Sequence, residues 1–216
     1  MAARPKIGMA IADLRMPGRE AISEAARLGY QVIQIDTVGT EFEPRRFGQT
    51  ARRDLRHFVA QANMEIVALH VDIGGGRLGD ASRIDECVDR TRAAMEMAAG
   101  MRVPIVVMEP GPIVPDNAQV VEAMRRLAQS ADRTGTILAM LTGQSGPGEM
   151  AGLIGELGAA PVRVCYDPAG LMLGGFDALG GIEPLASQIV LAYVRDAVPG
   201  SRGGSAGSRA TQGHEV

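Results

Sequence analysis

The chain has no tryptophan, and its 3 tyrosines and 4 phenylalanines hold aromatic residues to 3% of 216 positions. A surface that stacks successive bases needs several aromatic faces, so this composition argues against a nucleic-acid platform. The 22 basic and 25 acidic residues give a net charge of -3, and the arginines are scattered rather than clustered. That balance argues against both nucleic acid and an anionic membrane surface as partner. The 2 cysteines, Cys87 and Cys165, lack CxxC spacing and fall in a helical and a strand pattern, where a thiol packs as a small core residue. No apolar run approaches the roughly 20 residues of a membrane span. Residues 1–5 lead into an extended segment without a signal-peptide core, so the expected location is cytoplasmic. A nucleophile elbow, a P-loop and a zinc-protease motif are all missing, and Gly74-Gly75-Gly76 does not follow GxGxxG. Small-molecule chemistry or protein contacts remain.

What is present is a repeated grammar. An apolar run rich in valine and isoleucine is followed by an amphipathic stretch and a stop. Strand patterns cover 6–11, 30–36, 65–71, 103–108, 136–141, 162–166 and 188–194. Helical patterns cover 19–28, 50–63, 81–101, 117–133, 147–157 and about 178–186. In the first helical stretch Ile22, Ala25, Ala26 and Leu28 share one face and Gly29 ends it. Strands apolar on both faces suit a parallel sheet covered by helices. Repeating units of this kind build an open doubly wound sheet or a closed barrel. The first strand-to-helix turn, 12–18, lacks the glycine-rich phosphate signature of the doubly wound class, which favours the barrel. The expected fold is therefore α/β, a (β/α)8 TIM-barrel type truncated after the seventh strand. Residues 1–198 form the barrel domain, and 199–216 form a flexible tail rich in glycine and serine.

A barrel of this type carries its chemistry at the C-terminal ends of its strands. The polar residues there are Asp36, His70, Asp72, Glu109, Thr142, Asp167, Tyr193, Arg195 and Asp196. His70 and Asp72 lie two apart and face one side, a pair able to bind a divalent cation or a sugar hydroxyl. The plain alternative is a rim histidine bonded to a neighbouring carboxylate. Glu109 is held by the rigid turn Pro110-Gly111-Pro112 and is a candidate general base or a solvated cap. Asp167, where an apolar strand breaks into Pro168-Ala169-Gly170-Leu171, is placed either to ligate Mg2+ or Mn2+ or to cap that turn. Tyr193 and Arg195 share a face, with Asp196 next. Arg195 can grip a phosphate or carboxylate in bidentate fashion, or form an ordinary pair with an aspartate.

Five segments in order carry a family resemblance. They are 25–36, ending Gln34-Ile35-Asp36; 106–111, with Glu109-Pro110-Gly111; 138–143, with Leu141-Thr142-Gly143; 166–171, opening Tyr166-Asp167-Pro168; and 193–197, Tyr193-Val194-Arg195-Asp196-Ala197. On these the chain resembles the xylose-isomerase-like barrel superfamily of sugar phosphate isomerases and epimerases, which also contains the endonuclease IV proteins. The resemblance implies isomerisation or epimerisation of a ketose or related polyol, a sugar or sugar phosphate, with Mn2+ or Mg2+ polarising the carbonyl. It places the ion on a glutamate of strand five, an aspartate of strand six, a histidine of strand seven and a glutamate of strand eight. Here those positions are Leu141, Asp167, Tyr193 and a point beyond Val216, and the polar residue three after the aspartate is Gly170. One carboxylate is a poor holder for a hard ion that takes about six oxygen ligands. If the chain is an enzyme, Asp167 is the expected remaining metal residue, His70 or Glu109 a substitute ligand or the catalytic acid/base, and Arg195, with Tyr193 and Asp196, the expected substrate contact. The alternative is a non-catalytic sugar-binding or interaction protein on the same scaffold. Strands one and seven would each offer an unpaired edge, which invites a homodimer.

Overall fold

A computed structural model describes residues 5–74, 78–114 and 117–196. Gly75, Gly76 and the expected tail at 199–216 lie outside them. The strands are β1 Gly8–Ala10, β2 Val32–Asp36, β3 Glu65–Val71, β4 Ile105–Met108, β5 Ile137–Leu141, β6 Val162–Tyr166 and β7 Ile189–Ala192. Between them run α1 Gly18–Arg27, α2 Gln49–Gln61, α3 Ile84–Met101, α4 Ala118–Thr134 and α5 Pro147–Leu157, while α6 Pro168–Leu173 and α7 Ile182–Leu185 both lie between β6 and β7. All strands are parallel and neighbour one another in chain order. This is the expected TIM-barrel-type α/β order. Among the described residues no strand joins β7 back to β1.

Alternation along each strand splits the apolar residues between two layers. Ile33, Ile35, Leu69, Val106, Met108, Leu138, Met140 and Val164 face outward into a core shared with the helices. Ala68, Ile105, Val107, Ala139, Leu141 and Cys165 face inward, with Leu191 and Tyr193 packed against them. The strands read as apolar on both faces because both faces are covered.

The sheet is curled. The Tyr193 hydroxyl, just past β7, donates to Gln34 Oε1 on β2 at 2.9 Å. Five strand spacings of about 4.8 Å would hold those strands roughly 24 Å apart in a flat sheet. Only inward curvature lets the two side chains meet. Ile7 just before β1, Val190 on β7 and Val194 just past it are exposed at 78%, 36% and 101%.

The helix boundaries have local causes. Asn117 caps α4 by accepting from the Gln119 and Val120 amides, and Gly135 closes that helix in a left-handed conformation. Pro147 opens α5 at the position where a missing N–H costs nothing. Residues after Asp167, read from sequence as a loop, form α6, because Pro168 starts a helix well and the Asp167 carboxylate caps it through the Gly170 amide. The single helix expected at about 178–186 is confined to α7 and a 3-10 turn at Ala186–Gln188. The edge strands β1 and β7 are shorter than their apolar runs, each having one partner strand to define it.

Candidate functional site

The inward-facing positions become polar at the C-terminal ends of the strands. In register, Asp36 of β2 lies beside His70 of β3. The His70 ring nitrogen Nδ1 is 3.2 Å from Asp36 Oδ1, and the two side chains are 15% and 26% exposed. Burial alone would push the imidazole toward its neutral form. The bond to Asp36 and the charges of Asp36, Asp72 and Glu109 outweigh it, so the pKa of His70 stands above the ordinary histidine value. Asp72 is turned to its own loop, accepting the Gly74 amide at 2.8 Å. The rim histidine therefore has a carboxylate partner, but it is Asp36 across the strands rather than Asp72 along the chain.

Glu109, one step past β4, accepts from Gln144 Nε2 at 2.9 Å. Its turn is pinned by Ser145, whose hydroxyl donates to the Gly111 carbonyl and accepts the Ile113 amide. The carboxylate thus sits on a braced loop, as Pro110 and Pro112 suggest.

Asp167 is fully buried, and both of its oxygens are engaged. Oδ1 accepts from the Gly170 amide and from Arg195 Nε, each at 3.0 Å, and Oδ2 accepts from Arg195 Nη2. Its own amide donates to Thr142 Oγ1 at 2.7 Å. Gly143, with φ of 134°, and Gly170 let these two loops touch, since a Cβ on Gly143 would lie 3.2 Å from the Gly170 backbone. The bond to Asp167 holds the Arg195 guanidinium above its ordinary pKa, against the opposing effect of burial.

Tyr193 and Arg195 do share the inner face. The phenol meets Gln34, and burial beside Cys165, together with the charges of Asp36 and Asp167, raises its pKa strongly and keeps it neutral. Burial likewise pushes the Cys165 thiol up, so it is not a nucleophile at neutral pH. Asp196 lies exposed at the rim. Sequence reading passed over two residues of this site. Gln34 announces itself as the one uncharged polar residue inside the apolar run of β2, and Gln144 had no signal beyond its place in a strand-end loop.

The ligand set implied by the resemblance does not fit a divalent ion here. Asp167 is clamped by a guanidinium, Leu141 offers no donor, and the Tyr193 phenol is neutral and already bonded. Among the described residues no three His, Cys, Asp or Glu side chains converge to hold a metal. What the mouth brings together is His70, which feels the charge of Glu109, and the Arg195 guanidinium, paired with Asp167.

A cleft of about 290 Å³ opens next to Asp36 at the β1 and β2 side of the mouth. Ile11, Met16, Pro17 and Phe42 give it apolar walls, and Thr40 and Glu41 give it polar ones.

Comparison with curated proteins finds no match. Among solved structures, the chain is similar to a xylose isomerase domain protein from Planctomyces limnophilus, with a TM-score of 0.72 and 15% identity over 79% of this chain and 65% of that one. It is similar to a D-tagatose 3-epimerase-like protein, with a TM-score of 0.73 and 14% identity over 89% of this chain and 76% of that one. A D-psicose 3-epimerase from Clostridium cellulolyticum, solved with D-tagatose, gives a TM-score of 0.69 and 14% identity over 86% and 71% of the two chains. The first match spans just under two thirds of its relative, and all three at this identity speak to fold. The model of the xylose isomerase-like TIM barrel matches residues 22–212, and the chain belongs to that family.

Proposed function

We propose that this chain acts on a free ketose or related polyol at the mouth of its curled sheet, moving a proton at the carbon next to a carbonyl. The observation that carries the reading is the convergence of His70 and Glu109 with the Asp167–Arg195 pair on one inward face. His70 and Glu109 are close enough for the carboxylate to raise the pKa of the imidazole, and Arg195 feels the same charge. Glu109, as carboxylate, takes the proton from carbon. The C–H electrons pass to the carbonyl oxygen, and His70, protonated beside Asp36, returns a proton to the resulting enediolate.

Charge favours an unphosphorylated ligand. Asp36, Asp72, Glu109 and Asp167 surround one guanidinium and one imidazole, which is unfavourable for a phosphate dianion. The cleft beside Asp36 has room for the remainder of a small sugar.

The test is proton exchange from D2O into D-fructose and D-tagatose, followed by NMR, with D-fructose 6-phosphate as the charged comparison. Deuterium should enter the free ketose, and Glu109→Gln should slow entry by roughly 10²-fold or more, the usual scale of a general base. Unchanged exchange in that variant refutes the assignment of Glu109. The second reading is a sugar-binding protein without turnover, favoured by the complete engagement of Asp167. Ketose binding with no deuterium entry would select it.

A further inference from the structure

We propose that Arg195 is the permanent cation of this site: its guanidinium takes the place at Asp167 that the resemblance assigns to a divalent ion, and the mouth binds its polyol without one. The inference rests on the reading of the mouth as a polyol site and deepens it.

The geometry supports substitution rather than coexistence. Arg195 meets Asp167 through Nε and Nη2, one nitrogen to each carboxylate oxygen, and the Gly170 amide takes the remaining approach to Oδ1. A metal would have to displace a group that stays charged at every accessible pH, unlike a lysine or histidine, which can release a proton to make way. If it bound beside the guanidinium instead, two positive centres would share one carboxylate. The neighbouring positions do not help, because Leu141 is an alkyl wall, 8% exposed, and the Tyr193 phenol belongs to Gln34.

Gly170 ties these facts together. A Cβ at that position would stand 2.5 Å from Asp167 Oδ2 and 3.2 Å from the Thr142 carbonyl. Any side chain there would push the carboxylate out of the orientation in which Arg195 holds it. The residue that deprives a metal of a polar neighbour is therefore the one that makes room for the ion pair.

The guanidinium keeps a working edge. Its side chain is 39% exposed while Asp167 is at 0%. Nη1 bonds to no described residue, and we assign its N–H groups to a carbonyl or hydroxyl oxygen of a ligand in the mouth. Asp167 then positions Arg195, and Arg195 supplies the positive charge that draws electrons toward the ligand carbonyl.

Mn2+ alone, titrated calorimetrically into the EDTA-stripped full chain, should show no stoichiometric uptake, and EDTA should leave the melting temperature unchanged. Arg195→Ala should melt at a lower temperature. Methylguanidinium should restore part of that loss, while equimolar Mn2+ should not, and neither should act on Asp167→Asn/Arg195→Ala. Stoichiometric Mn2+ uptake by the wild type that Asp167→Asn abolishes would overturn the inference, and so would rescue of Arg195→Ala by Mn2+ as effective as that by methylguanidinium. If Arg195→Ala does not fold, the wild-type titration decides alone. Polyol binding abolished by EDTA sinks this inference and leaves the polyol reading standing. Absence of any polyol binding sinks the reading, while the metal titration still judges Arg195.

Discussion

Replacing Tyr193 with phenylalanine removes one oxygen atom and tests whether the sheet is curled. The hydroxyl donates to Gln34 Oε1 at 2.9 Å, and Gln34 is 7% exposed, so water has little access to the abandoned carbonyl. A net hydrogen bond is worth about 1 kcal/mol, and a buried acceptor left without a partner adds a desolvation cost of similar size, so Tyr193→Phe should lose about 2 kcal/mol. For a chain of this length that corresponds to a fall of roughly 4–8 °C in melting temperature. Gln34→Met alone should also destabilise, because it strands the phenol. The double variant replaces both polar groups by apolar ones and should lose less than the sum of the singles by about 1 kcal/mol, the coupling expected of contacting residues. Urea unfolding at neutral pH, with all four proteins compared at equal denaturant slope, measures the cycle. Additive losses would mean that a residue past β7 and a residue on β2 do not touch. The curvature of the sheet, and with it the shared mouth, would then be refuted.

Two further outcomes follow from the site. The pKa of His70 is raised in the fold above the ordinary value of about 6.5. The stabilisation from the charged His70–Asp36 pair is therefore fully present below about pH 6.5 and is lost as pH rises through the folded-state pKa. An NMR titration of the His70 ring should give a midpoint above about 6.5 that falls in Asp36→Asn, and a wild-type midpoint at or below 6.5 contradicts the pairing. Gly143 has φ of 134° and almost touches Gly170. Gly143→Ala should therefore lose more than about 1 kcal/mol in urea unfolding, and a neutral result would show that the two loops do not pack as described.

Much of the architecture was legible from residue order. The bounds of β3, α5 and β6 coincide with their apolar patterns, since a strand covered on both faces and a proline-started helix each leave a plain periodic trace. The α6 helix was hidden because it spans only six residues, from Pro168 to Leu173, too short to show a period. The strand-end positions of His70, Glu109, Asp167, Tyr193 and Arg195 were also readable, because in a parallel α/β fold the place where an apolar run turns polar is the rim.

Their partners were not. His70 bonds to a carboxylate 34 positions away rather than to Asp72 two positions on, Arg195 reaches 28 positions back to Asp167, and Tyr193 meets Gln34 across 159 positions. Sequence determines which side chains a strand presents to its inner face, because alternation is a local property of extended backbone. Which of those side chains meet depends on the register between neighbouring strands and on the curvature accumulated over the sheet. Neither is a property of any one segment. Strand order put Asp36 beside His70, and curvature brought Tyr193 to Gln34. Asp167, which sequence left open between a metal ligand and a cap, caps α6 through the Gly170 amide and pairs with Arg195, and the bare glycine at position 170 leaves room for both contacts.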